Sequence, residues 1–276
     1  MKYTLQSSKY ISKNFLYIFP FAIIPAFLLS ISTDQEAIAC AMRTFFTGTL
    51  DEMHFSHLFR AISVLNFGSW QSVVFGLLGV ILSVVCVSMM MALLDKHMRI
   101  GKRTYNGLWG KLNDNLISTC GYVFLVFALY EIWVLILAAI VFLFAKIPNV
   151  IVAVTLVSIS YVAMHVILVY LIGLIYLWLP CMQITGFHAM EALQYSQQLI
   201  SPVKWKILMG QISFLLCTEA LICVCSVFLP MGLIFTAITS VFYSGLIMLY
   251  FVRMMIAYFD RDNIERADLK KYYQHY

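Results

Sequence analysis

Charge is what this chain has least of. Asp, Glu, Lys and Arg together make up 11% of its 276 residues, too few to coat a water-soluble surface. The motifs of common soluble chemistry are missing too. There is no Walker A loop, no GxGxxG and no HExxH, and no GxSxG nucleophile elbow. Seven cysteines form no disulfide framework: Cys86, Cys217, Cys223 and Cys225 fall in apolar runs, Cys120 and Cys181 border them, and Cys40 stands apart. Small apolar packing residues are the simpler account, and no set has zinc spacing.

What is present is oil. Hydrophobic residues make up 62% of the chain and mean hydropathy is +0.90. Six runs approach or exceed the roughly 20 residues that a helix needs to cross a bilayer. They are 15–31, 73–94, 120–145, 150–179, 207–229 and 231–258. Backbone polar groups in lipid must be satisfied within the segment, so these runs are expected to be helices. Pro20 and Pro25 are expected to kink the first. Ala37-Ile38-Ala39 offers a cleavage-type site after that run, but Asp34 and Glu36 intervene and the span is expected to be retained. The expectation is one all-α, six-span membrane domain with an outer loop over 32–72 and a short helical tail over 259–276.

Orientation follows from the cations. With the N-terminus inside, fifteen of the eighteen Lys and Arg fall on inner segments; Arg43, Arg60 and Lys146 fall outside. That asymmetry predicts a multi-pass membrane protein with both termini in the cytoplasm. It also explains the net charge of +5 through topology and anionic headgroups, leaving nucleic-acid binding without support. Arg253 is close enough to the inner surface to be expected to snorkel.

Amphipathic stretches precede the odd-numbered spans. Ala189, Leu193, Ser196, Ile200 and Val203 share one helical face before span five, and Leu108, Leu112, Leu116 and Thr119 do so before span three. Tyr10-Ile11-Ser12, Leu116-Ile117-Ser118 and Leu199-Ile200-Ser201 give the three lead-ins a common local pattern. The reading is three repeats of interfacial helix plus helical hairpin, entered from the cytoplasmic side. In the outer loop, Phe55, Leu58, Phe59, Ile62 and Leu65 form another apolar face, expected to lie flat on the outer interface.

Three ionisable groups fall near mid-membrane: Glu131, His165 and Glu219. Each costs at least about 2.5–3.5 kcal/mol to insert, so each is expected to face protein or water. With Tyr161 one turn before His165, they form the candidate polar site. It would bind a cation, proton or lipid headgroup, or else serve only as interhelical glue. In the outer loop, Asp51, Glu52, His54 and His57 bring ligand-type side chains together; a solvated face is favoured over metal binding there. Asp is missing from all six spans, which removes the paired-Asp intramembrane proteases. The P-x-[DE]-x-x-[KR] signature of mitochondrial carriers is missing as well.

Residues 192 to 214 read Ala192-Leu193, Ser196, Leu199, Lys204-Trp205, Gln211 and Ser213-Phe214. Span six ends on Ala257-Tyr258-Phe259-Asp260-Arg261 before a charged tail. These features resemble a loose group of uncharacterised bacterial six-span proteins, similar to the membrane domain attached to some glycerophosphodiester phosphodiesterases. An AL-x-x-S helix before span five and a Y-x-D-x-R-like ending after span six mark that group. The likeness covers about the last third of the chain and implies a six-span fold in a bacterial cytoplasmic membrane. It brings no established activity, since the outer loop is bulkier here and no phosphodiesterase domain stands within these residues. The leading expectation is a non-enzymatic protein that binds or moves a lipid or small solute, without cofactor or metal. Its partners would be membrane lipids, and a protein partner or second copy remains open. A membrane scaffold acting through the interfacial helices and outer loop is the alternative, and a lipid-modifying enzyme the third.

Overall fold

The computed structural model describes residues 2–230 and 232–269, and every regular element among them is a helix. Six helical stretches are long and apolar enough to cross a membrane: Lys2–Ser32, Trp70–Ile100, Leu108–Ala145, Val150–Thr185, Ala189–Phe228 and Leu233–Arg261. This is the build of a multi-pass membrane protein. The expected start of span six at Met231, and the tail from Lys270 onward, lie outside the described residues.

In chain order the helices are α1 (Lys2–Ser32), α2 (Gln35–Thr47), α3 (Phe55–Ile62), α4 (Trp70–Ile100) and α5 (Leu108–Ala145). Then come α6 (Val150–Leu174), α7 (Trp178–Thr185), α8 (Ala189–Ile200), α9 (Lys204–Phe228) and α10 (Leu233–Arg261). Local chemistry sets several boundaries. Asp34, Ser69 and Asn149 accept hydrogen bonds from the free N–H groups of the first turns of α2, α4 and α6. Gly101 ends α4 at a φ of 76°, which L side chains rarely adopt.

The long helices form a ring. α1 packs on α4, α4 on α5, α5 on α6, α6 on α9, α9 on α10, and α10 returns to α1. One end of the ring joins the two ends of the described chain. Lys2 Nζ lies 3.0 Å and Tyr3 OH 2.6 Å from an Asp260 carboxylate oxygen. That end holds the larger apolar core, in which Phe251–Phe259 of α10 are buried against α1, α4, α7 and α8. The other end is capped by α2, resting on α9, and α3, resting on α5.

Four expectations need correction. Pro20 and Pro25 lie inside α1, but its non-helical backbone is at Asn14 (φ −121°, ψ 21°), whose Nδ2 donates to the Tyr10 carbonyl at 2.9 Å. The fourth run breaks at Ile175–Leu177 before restarting as α7, two residues ahead of Pro180. The tail is not helical as a whole: after Asp262 only a 3-10 turn, Ala267–Leu269, forms among the described residues. Arg253 does not snorkel either. It is 2% exposed, because the bundle end closes around it instead of leaving its head in water.

The segment between α1 and α4 is tied into the ring. After α3 the bend Ser63–Leu65 inserts between α4 and α5. Gly76 of α4 allows this, since a Cβ there would stand 2.5 Å from the Val64 carbonyl oxygen. The obstacle is backbone, which yields little. Gly76→Ala is therefore expected to cost about 1–3 kcal/mol through overpacking, measured as a lower thermal midpoint in detergent.

Candidate functional site

The mid-membrane side chains separate into two arrangements, and the distinction lies in how many carboxylate oxygens are occupied. Glu131 on α5 is saturated. Its Oε2 accepts from Ser63 Oγ at 2.7 Å, and its Oε1 from the backbone N–H groups of Val64 at 2.9 Å and Leu65 at 3.3 Å. Neighbouring Tyr130 donates its OH to the Ile62 carbonyl at 2.7 Å. Ile62 ends α3, where carbonyls lack helical partners, and Tyr130 satisfies its carbonyl. Val64 and Leu65 lie past the helix, so their N–H groups need an acceptor wherever water is excluded. Glu131 is thus the clamp that holds the 33–69 segment in the ring.

Glu219 on α9 is half occupied. Its Oε2 accepts from Tyr161 OH at 2.7 Å and stands 2.7 Å from His165 Nε2. The ring is turned so that this second contact has ion-pair distance without hydrogen-bond alignment, leaving Nε2 buried and otherwise unpartnered. Glu219 Oε1 accepts no hydrogen bond from any described residue, and the side chain is 23% exposed. Glu219 stands nine residues before the end of α9, about 14 Å along the axis at 1.5 Å per residue.

Sequence spacing explains how α6 presents its two partners. Tyr161 and His165 are four residues apart, so they stack one turn over the other with ring centroids 4.3 Å apart. Trp133 of α5 closes the other side of the imidazole, edge to face at 4.8 Å, while its Nε1 donates to the Met164 carbonyl at 2.7 Å. His165 is 1% exposed and locked between the two rings.

That locking decides where hydrogens lie. His165 Nδ1 is 2.8 Å from the Tyr161 carbonyl oxygen, which can only accept, so Nδ1 carries a hydrogen. A neutral ring would then face Glu219 Oε2 with a bare lone pair at Nε2. Two bare acceptors at 2.7 Å would repel, so the contact is favourable only when the pair carries a proton.

Sequence reasoning placed Tyr161, His165, Glu219 and Glu131 in one polar site, and the structure brings the first three together around a single oxygen. Glu131 belongs to the neighbouring clamp. Tyr130 lies within electrostatic reach of both acids. Three contributors had not been singled out as members. Ser63 and Tyr130 complete the clamp, and Tyr243 of α10 pairs its OH with Thr33 Oγ1 at 3.1 Å within electrostatic reach of Glu219. Helix α2 lies within the expected loop over 32–72. Its sequence signal is the Asp34 cap, the apolar spacing Ile38, Met42 and Phe45, and Gly48 at its end.

The outer-loop cluster is looser. His54 and His57 have ring centroids 5.9 Å apart at the start of α3; Glu52 is exposed, and the Asp51 carbonyl takes a hydrogen bond from Lys146. Among the described residues no three His, Cys, Asp or Glu side chains are grouped to hold a metal ion. A cleft of about 320 Å³ opens beside this region, lined by Arg60, Asp34, Asn66 and the first turn of α10. The Arg60–Asp34 ion pair crosses it at 2.5 Å. Comparison with known proteins finds no matching family model, no matching curated protein and no matching solved structure.

Proposed function

We propose that this chain is a non-enzymatic membrane protein that binds or moves a small solute or lipid through the Glu219–His165–Tyr161 site. The observation that carries this reading is the free oxygen. Oε2 is held by Tyr161 and His165, which orient the carboxyl group, while Oε1 is left for a ligand. A mid-membrane acid serving only as glue would be expected to use both oxygens on protein, as Glu131 does. A proton shared with His165 gives the group a second state, so ligand capture and proton release would be coupled. The ligands that suit Oε1 are hydrogen-bond donors: amines, hydroxyls or a cation.

The closed ring of helices and the meeting of both described chain ends at one end of it favour three hairpin repeats. The basic residues favour cytoplasmic termini in a bacterial cell membrane. The likeness of residues 192–214 to six-span membrane domains fits this architecture and lends it no activity.

A thermal-shift screen of amines, polyols, cations and lipids on the detergent-solubilised chain tests the reading. Stabilising ligands are expected to lose at least about tenfold in affinity on Glu219→Gln and to keep it on Glu131→Gln. No saturable ligand, or equal binding by the Glu219→Gln variant, would refute it. One observation favours the scaffold reading as second choice: the cap exposes Phe46, Phe67 and Trp70 at 77%, 67% and 80%. A scaffold would lose its partner on changes to the cap and be indifferent to Glu219→Gln.

A further inference from the structure

The buried cation at the opposite end of α10 has no part in the site above. Arg253 is 2% exposed, and its only hydrogen bond among the described residues runs from Nη2 to the Ile207 carbonyl of α9. Its Nε is buried without a partner. The groups in electrostatic reach are the phenols of Tyr176 and Tyr250, and among the described residues no carboxylate pairs with it. A guanidinium taken out of water with one carbonyl for company is an unbalanced charge, and buried charges are normally paired.

The position of this charge indicates what balances it. Arg253 stands twenty residues after Leu233, about 30 Å along the helix, which matches the thickness of the hydrocarbon layer. With the start of α10 at one face, the guanidinium is level with the headgroups of the other. Trp205, 64% exposed, and the lysines Lys204 and Lys206 begin α9 just before Ile207, whose carbonyl Arg253 bonds, as interfacial anchors do. Side chains of α1 and α10 meet the backbone of α9 at this level. Gly210 of α9 allows the approach: a Cβ there would lie 2.7 Å from Arg253 Nη2 and 3.0 Å from Thr4 Oγ1 of α1. The next residue, Gln211, keeps both amide atoms buried and unpartnered.

We propose that Arg253 is the base of a phosphate-binding site at the membrane boundary, reached beside Gly210 when Thr4 of α1 moves away from α9. The phosphodiester of an anionic lipid and free phosphate share the chemistry it selects: oxygens for the fork of Nε and Nη2, with the Thr4 hydroxyl and the Gln211 amide as further donors. In the structure Thr4 closes this approach, and the bonds of Lys2 and Tyr3 to Asp260 hold its turn in place, so the first turn of α1 moves aside on entry.

Native mass spectrometry of the full chain in detergent, titrated with phosphatidylglycerol, reads the site directly. Arg253→Met is expected to weaken lipid retention by about tenfold, equivalent to about 1.4 kcal/mol. The surface control Lys204→Gln/Lys206→Gln is expected to lose less than about threefold, as exposed charges do. Millimolar inorganic phosphate in competition separates the sources: displacement of the lipid supports a free-phosphate site, and its retention supports a lipid site. Unchanged retention by a folded Arg253→Met variant overturns the proposal, as does an equal loss in the lysine control. Should Arg253→Met fail to fold, Thr4→Val decides: weakened retention supports the site and wild-type retention overturns it.

Discussion

Replacing Glu131 with leucine is expected to destabilise the protein by at least about 3 kcal/mol, because three donors lose their acceptor at once. Ser63 Oγ and the N–H groups of Val64 and Leu65 all end on this carboxylate, in a segment enclosed between α4 and α5. Leucine matches the volume and supplies no acceptor. Glutamine keeps one carbonyl oxygen for the two backbone groups, and its amide can donate to Ser63, so Glu131→Gln is expected to cost about 1 kcal/mol. Thermal unfolding in detergent measures the difference. Limited proteolysis of residues 62–69 shows whether the outer segment is what comes loose. A leucine variant as stable as the glutamine variant would mean that the clamp contributes nothing.

The second large effect is a coupling. Glu219→Leu leaves His165 Nε2 buried with no partner, and the expected loss is about 3 kcal/mol, at the low end for a broken buried pair because Glu219 is 23% exposed. His165→Leu removes the proton-sharing partner and the ring packed on Trp133. If the two residues act as a unit, the double variant is expected to be no worse than the more damaged single one, a coupling of about 2–3 kcal/mol. Additive losses in the thermal midpoint would show that the 2.7 Å contact is incidental.

Much of this was legible in the residues themselves. The six spans follow from run length, since nothing but oil tolerates such runs. The Tyr161–His165 stack follows from a spacing of four on a helix. That Glu219 joins them was accessible only as a necessity: an acid at that depth must find a partner, and the identity of the partner depends on which helices become neighbours in the ring. Glu131 misled for the same reason. Its cost of burial is real, but the groups that meet it are backbone N–H groups of a segment far away in sequence, and backbone donors leave no mark in the sequence. Arg253 shows the opposite limit. Charge near a helix end is ordinarily an interfacial anchor, and only the packing of α9 through Gly210 reveals one that is enclosed.

The clamp also bears on how the protein is made. The stretch 33–69 emerges from the ribosome well before Glu131 does, so its acceptor does not yet exist when the stretch leaves the ribosome. Until the third span has been made, that stretch is unanchored and open to proteases. Biogenesis therefore contains a vulnerable interval, about as long as the synthesis of the seventy residues between Ala61 and Glu131 at about 5–20 residues per second.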